Sequence, residues 1–310
     1  SNPGKKHYGK NIFITLQFVL AITFIGVTII LSRQISHMKS AALGFNKENM
    51  LVIPMDLAYK NQEAASARFN VLLNDLRANP YVKGISTSED IPTDYSEHYN
   101  TYYDPVSQKE VSIRTAYTDA GLLPTYEIPL IEGRNFKNVP VGQEANNIII
   151  NRKTMEAFGW KVAVGKQIKS RGDNETSTVI GVMEDFHYSD LTRNVEPLMH
   201  DYAAEQQLGF TKLSIRVDPK HTDDIVAQLK AGFNEMPSRR QFSYELLSSR
   251  IDNQYALLNG ILKATNFVSL LTIFIAAMGM FGLIALFARQ RVKEIGIRKV
   301  LGARVTDIMR

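Results

Sequence analysis

Three short stretches carry residue types that do chemistry in other proteins. Gly4-Lys5-Lys6-His7-Tyr8-Gly9-Lys10-Asn11 nearly matches the phosphate-cradling pattern G-x-x-x-x-G-K-[ST]. That loop works when a strand precedes it, a solvated helix follows it and a hydroxyl is there for magnesium. Here no strand precedes, Asn11 replaces the hydroxyl, and a long apolar run follows. The stretch is a basic flank, and nucleotide hydrolysis is excluded. Asp185-Phe186-His187 sets an acid near a base, but neighbours in an extended chain point to opposite faces. It reads as a structural turn after the Val179–Met183 strand. His7, His37, His98, His200 and His221 show no metal-ligand spacing. There is no cysteine, no G-x-S-x-G and no H-E-x-x-H. Asn174-Glu175-Thr176 is a glycosylation sequon in form only. The sequence predicts no catalytic residue, no metal and no cofactor.

The elements around these stretches explain why chemistry is absent. The chain has 310 residues, 45% apolar, with a net charge of +5. Residues 11–32 form a 22-residue run without charge, and residues 264–288 a second of 25 residues. At about 1.5 Å per helical residue, either crosses a hydrocarbon core roughly 30 Å thick. The first run is too long for a signal-peptide core and lacks a small-residue cleavage site after Ser32, so it is a retained helix. Residues 1–10 carry +3 and residues 289–310 carry +5, which leaves −3 for residues 33–263. Lys and Arg accumulate on cytoplasmic flanks. Both ends are therefore expected inside, as a basic flank (1–10) and an inner segment (289–310), with the long loop outside. The basic charge reports topology, and no nucleic-acid partner is needed to explain it.

Within the loop, the first helix is expected to continue to about Ala42 and to stop at Gly44. Met50–Met55 and Val82–Ser88 read as strands around a helix over Glu63–Ala78. Lys212–Val217 and Gln241–Leu246 read as strands around a helix over Asp223–Met236. Two βαβ-like units thus bracket the middle, which predicts a ferredoxin-like split unit with both helices on one face. The intervening part, about 90–208, reads as an inserted β-rich lobe. Its expected strands are Val111–Tyr117, Asn147–Ile150, Val164–Lys169 and Ser177–Met183, with short helices near Asp119–Thr125 and Arg152–Phe158. The fold class is a membrane protein in which two transmembrane helices flank an α+β extracytoplasmic domain (44–246). A stalk helix over 247–263 is expected to run into the second span, so that both spans are rods without a flexible linker.

Two patterns concern contacts. Ser269, Thr272, Ala276 and Gly279 are spaced 3, 4 and 3 along the second span, the arrangement that lets another helix approach closely. Ordinary membrane-helix composition accounts for the same residues equally well. Beyond the span, Ile297, Val300, Leu301, Val305 and Ile308 make an apolar stripe on a charged helix. Such a helix either lies on anionic lipid or docks into a groove on a cytoplasmic partner.

Arg291-Val292-Lys293-Glu294-Ile295-Gly296-Ile297-Arg298-Lys299-Val300-Leu301-Gly302-Ala303 resembles the coupling segment of MacB/FtsX-type ABC-transporter permeases. Gly44-Phe45-Asn46-Lys47-Glu48-Asn49, Gly133-Arg134-Asn135-Phe136, and Ile180-Gly181-Val182 leading to Asp185-Phe186-His187 resemble the periplasmic core domain of its Bacteroidetes-type members. The resemblance spans essentially the whole chain. It implies a ferredoxin-like porter part with an inserted lobe, a bacterial inner-membrane location and contact with a separate cytoplasmic ATPase. Ile295, Ile297, Val300 and Leu301 would fill the ATPase groove, with Arg291, Glu294, Arg298 and Lys299 at its rim. It further implies a second permease half, periplasmic or outer-membrane components as partners, and mechanotransmission without an alternating-access pore. Lys10–Gln34 resembles the start of the second half of a duplicated permease, so the chain is expected to be a truncated piece. The alternative from another class is a two-helix receptor with an extracytoplasmic sensor domain. A receptor relay calls for a heptad-patterned helix after the second span, which Gly296 and Gly302 disfavour.

Overall fold

The computed structural model describes residues 5–40, 43–55, 62–137, 139, 144, 146–172, 175–188, 194–202, 212–236 and 241–301. It falls into two compact units, Ser1–Ala41 with Tyr255–Arg310, and Ala42–Gln254.

The elements of the α+β unit are, in chain order, β1 (Met50–Pro54), α2 (Gln62–Ala78), β2 (Val82–Ser88), β3 (Tyr99–Tyr103), β4 (Glu110–Thr118), α3 (Leu122–Tyr126), β5 (Leu130–Gly133), β6 (Asn147–Asn151), α4 (Arg152–Phe158), β7 (Gln167–Ser170), β8 (Thr176–Met183), β9 (Leu198–Tyr202), β10 (Lys212–Val217), α5 (Thr222–Asn234), β11 (Glu245–Leu246) and α6 (Leu247–Gln254). The membrane unit has α1 (Lys5–Ser40) and α7 (Ala256–Val300).

The first four-stranded part of the sheet runs β11-β1-β10-β2, with every neighbouring pair antiparallel. That order, with α2 between β1 and β2 and α5 between β10 and β11, is the ferredoxin-like arrangement. Both helices pack on one face. Phe69, Leu72, Leu73 and Leu76 of α2 meet Ile225, Leu229 and Phe233 of α5 over Leu51, Ile53, Leu213, Ile215 and Val217. The alternation of β1 and β10 dictates this, since inward residues recur every second position. The opposite face is covered by α3, where the Tyr126 hydroxyl meets Ser214 Oγ at 2.7 Å.

The inserted lobe is more closed than the sequence suggests. From β2 the ladder passes to β4, then β3, β7, β8, β6 and β9, and β9 pairs back onto β4 in parallel. Six strands thus form a closed ring, which leaves few free edges. Its interior holds Tyr102, Val111, Ile113, Ile148, Ile150, Ile168, Val179, Val182 and Met199. The strands β3, β5 and β9 have no counterpart among the expected elements. Two expected strands are shorter. A turn in which Lys166 N–H donates to Ala163 O delays β7 to Gln167, and only Glu245–Leu246 pairs beside β1. Asp119 stands outside α3. Its carboxylate accepts Ser86 Oγ, Thr87 N and Gly121 N, tying the start of the helix to β2.

In the membrane unit, α1 and α7 contain stretches long and apolar enough to cross a bilayer, Thr15–Ser36 and Ala256–Ile297. They run antiparallel, because Thr28 meets Ser269 while Gln17 meets Gly279. Their outward residues, such as Ile22, Ile30, Leu270 and Phe281, are exposed as a lipid-facing surface requires. The expected single helix from Leu247 is two: α6 ends at Gln254 and α7 begins at Ala256, with Tyr255 between them at φ −92° and ψ 3°. Gly260 lies inside α7. The first helix ends at Ser40, and residues 41–42 lie outside the described residues.

Candidate functional site

The 45 residues of α7 span about 68 Å, more than twice the thickness of a hydrocarbon core. Arg291, Glu294, Ile295, Gly296, Ile297, Arg298, Lys299 and Val300 belong to this helix, and Leu301 closes it by donating its amide to Ile297 O. Gly302 and Ala303 lie outside the described residues, as do Val305 and Ile308 of the stripe. Gly296 does not break the helix. Val292, Ile295, Ile297 and Leu301 are all exposed. At about 100° per residue, Ile297 and Leu301 share one side with the Val300 position, whereas Ile295 points about 160° away from Ile297, toward Val292. Ile297 and Leu301 therefore share one side of the helix and Ile295 lies on the other.

Along the span, Ser269 and Ala276 are buried and Thr272 and Gly279 half-buried. The Ser269 and Thr28 hydroxyls are 2.9 Å apart, an interhelical hydrogen bond. A Cβ on Gly279 would lie 2.6 Å from Gln17 Oε1, so the bare backbone is what admits that side chain. Thr272 donates to Val268 O, satisfying its hydroxyl within its own helix. The antiparallel register places the Lys-rich start of α1 and the Arg-rich end of α7 at the same end of the hairpin.

The α+β unit has two junctions, one where the chain arrives from α1 and one where it departs toward α7. At the inbound junction Gly44 adopts φ +80°, and a Cβ there would lie 2.6 Å from Asp185 O and 2.7 Å from Phe186 Cα. Only glycine admits that approach. Phe45 packs edge-on against Phe186 and Tyr126, and Phe186 is buried among Tyr95, Tyr188 and His200. Arg216 of β10 fastens the loop. Its guanidinium donates to Asn46 O (2.9 Å), Glu48 O (3.1 Å) and Thr125 O (2.8 Å). Gly133–Phe136 belongs to the same construction, since Arg134 N donates to Ile180 O and Asn135 Nδ2 to Ala120 O. The three loop motifs singled out in the sequence thus converge on one seam.

At the outbound junction Arg250 of α6 pairs with Asp94 and Glu245, and Lys212 Nζ reaches Asp94 at 3.1 Å. Gln254 Nε2 donates to Thr93 O at 2.8 Å. Residues 91–94 form a tight turn closed by Asp94 N donating to Ile91 O at 2.9 Å. Pro92 stands second and Thr93 third with φ 91°, which is a type II turn. That third position favours glycine, and a β-branched residue there is strained by roughly 1–3 kcal/mol.

Burial pushes the Asp185 carboxyl above its ordinary range, and its Oδ1 accepts the Lys153 amide. Burial likewise lowers His187, whose backbone amide donates to Leu43 O. His200, fully buried against Tyr95, is lowered to about 3 and is neutral. Among the described residues, no three His, Asp or Glu side chains are grouped to hold a metal. Sequence reading missed Arg216, Arg250 and Thr93. A lone Arg within the Lys212–Val217 strand was the one available signal.

Residues 14–234 match the MacB-like periplasmic core domain family. The chain belongs to that family. Membership makes it a permease component of the MacB/FtsX type of ABC transporter, a class that works with an ABC ATPase. Among solved structures it is similar to the periplasmic region of MacB from Actinobacillus actinomycetemcomitans, at 10% identity and TM-score 0.46, covering 71% of this chain and 98% of that one. It is also similar to the extracellular domain of YknZ, a noncanonic ABC-type transporter from Gram-positive bacteria, at 16% identity and TM-score 0.42, covering 64% and 100%. No curated protein matches. The MacB-like periplasmic core domain is thus framed by two candidate membrane helices, which suits an inner-membrane protein.

Proposed function

We propose that this permease component transmits ATP-driven motion of a separate cytoplasmic ATPase to its periplasmic core domain, for export or extraction of a substrate. The observation that carries this reading is the end of α7: an unbroken, charged helix that carries exposed Ile297 and Leu301 past the charge-free run 264–288. The groove it enters would take Ile297, Val300 and Leu301, with Glu294 and Arg298 at the rim and Ile295 turned toward lipid or a second permease half. Both basic ends would lie in the cytoplasm, as Lys and Arg on one end of the hairpin favour. The spans carry no charge, so they offer no polar path for an ion or solute, and movement of the helices themselves is the natural output. Hydrolysis belongs to the partner, and this chain is non-catalytic. Ser269, Thr272, Ala276 and Gly279 would keep α1 and α7 moving together.

The test is co-purification. Leu301→Asp should abolish capture of the ATPase, while Val106→Asp, on an exposed turn of the periplasmic domain, should leave it intact. Undiminished capture by the Leu301 variant removes the assignment.

A further inference from the structure

The hydroxyls between α1 and α7 find partners close by. Thr265 and Thr272 donate to Ile261 O and Val268 O at 2.9 and 2.7 Å, one turn back in their own helix. Thr28 and Ser269 bond to each other at 2.9 Å. Gln17 is the exception on that seam. Among the described residues neither end of its carboxamide has a hydrogen-bond partner, and its Oε1 is buried against Gly279. The oxygen faces the Cα–H of Gly279, a weak donor, and the two Nε2 protons have nothing.

Position makes this costly. Gln17 lies seven residues, about 10 Å, past Lys10 and sixteen residues, about 24 Å, short of Arg33. It is therefore inside the hydrocarbon layer, where no water takes up an amide proton. Polar groups at that depth are expensive, and a carboxamide there is met by another helix.

Beside Gln17, α7 is open. Gly282 is exposed, and a Cβ there would meet no heavy atom within 4 Å. It stands about 60° round α7 from Gly279, with Met278 on the same flank and Phe281 on the far side. Bare backbone lets a neighbouring helix come close. A second copy of this chain does not suit, because each Gln17 oxygen is turned against its own Gly279 and cannot return the bond.

We propose that Gln17 and Gly282 form the docking face for a transmembrane helix from another part of the permease. That helix brings an uncharged acceptor oxygen to the depth of Gly279. Gln17 is the positioning residue, and its amide fixes the depth and rotation of the incoming helix. The inference deepens the proposed function and rests on it only for the presence of further permease helices.

Oxygen accessibility of a nitroxide tests this in the complete transporter, reconstituted in a lipid bilayer with its other subunits free of reactive thiols. The label on Met278→Cys should collide with dissolved oxygen several-fold less often than the label on Phe281→Cys. Adding Gln17→Leu should raise position 278 to the level of position 281 and leave position 281 unchanged. Gly282→Leu, which fills the opening and keeps the amide, should do the same. Equal accessibility at 278 and 281 with Gln17 in place means that lipid alone covers the face, and overturns the proposal. Protection at 278 that survives Gln17→Leu also overturns it, as does spin–spin broadening that identifies the occupant as a second copy. Should Gln17→Leu fail to assemble, Gly282→Leu decides alone, and unchanged protection at 278 overturns the proposal. The readout does not involve the ATPase contact. Undiminished ATPase capture by Leu301→Asp would remove the coupling reading and leave the docking face standing.

Discussion

The inbound and outbound junctions of the periplasmic core domain are each fastened by one arginine, but the arginines hold different things. Arg216 is buried and donates to three backbone carbonyls from two segments, with the exposed Glu127 carboxylate farther off at 3.7 Å, beside the tight Gly44 seat and the Phe45–Phe186 contact. Arg250 is partly exposed and pairs with the carboxylates of Asp94 and Glu245, next to a strained turn. Backbone carbonyls cannot move away without unfolding their segments, whereas carboxylate partners can be exchanged for water and ions. The first junction is therefore a fixed attachment and the second an adjustable one.

The largest expected effect is at the fixed side. Arg216→Ala leaves the Asn46, Glu48 and Thr125 carbonyls without their donor, and should cost about 3–5 kcal/mol in denaturant titrations of the detergent-solubilised chain. The loss should depend only weakly on salt, because backbone carbonyls make the short contacts and the Glu127 carboxylate stands off at 3.7 Å. A cost below about 1 kcal/mol would erase the contrast between the junctions. Arg250→Ala should cost about 1–2 kcal/mol, and the difference from wild type should shrink in 1 M salt, where exposed pairs are screened within about 3 Å. If both variants lose the same amount with the same salt dependence, the two junctions are alike.

The smallest effect concerns pH at the inbound seam. Burial raises the Asp185 pKa in the folded state, so the folded form binds its proton more tightly than the unfolded chain. That side chain favours folding in acid, and its contribution is lost as pH rises through the raised value. Asp185→Asn keeps an acceptor for the Lys153 amide. It should raise the melting temperature slightly at pH 7 and not at pH 4, by less than about 1 kcal/mol because the group is partly exposed. His187 acts in the opposite sense. Burial depresses its folded pKa, so stability is lost as pH falls below about 6.5. A melting temperature for Asp185→Asn that is lower at pH 7 than the wild-type value would contradict the assignment.

The same comparison shows what the sequence could convey. The ferredoxin-like part was legible because α2 and α5 each bury one periodic face, over two short strand-like runs, β1 and β10. The lobe was not. Its ring closes through β4 and β9, a parallel pairing of Arg114 with Leu198 and Thr118 with Tyr202 across more than 80 positions, and no local pattern encodes such a contact. Arg216 was hidden by its own strand. Lys212, Ser214 and Arg216 alternate with Leu213, Ile215 and Val217, which reads as a wet face and a dry face. The polar face is instead covered by α3 and the Asn46–Glu48 loop, which turns a surface arginine into a buried clamp. Pro92 announced a turn, but the sign of φ at Thr93 depends on Tyr188 and Gln254, which are remote in sequence. The break at Tyr255 had no signal either, as no Gly or Pro stands there.

The central claim is a helix end inside the cell working on a domain outside it. Because the chain has no cysteine, single cysteines placed at Val106 and Val292, both exposed, can be labelled in intact cells with a membrane-impermeant thiol reagent. The account predicts that residue 106 reacts at once and residue 292 only after the cells are permeabilised. Labelling of residue 292 from outside, with residue 106 protected, would contradict it.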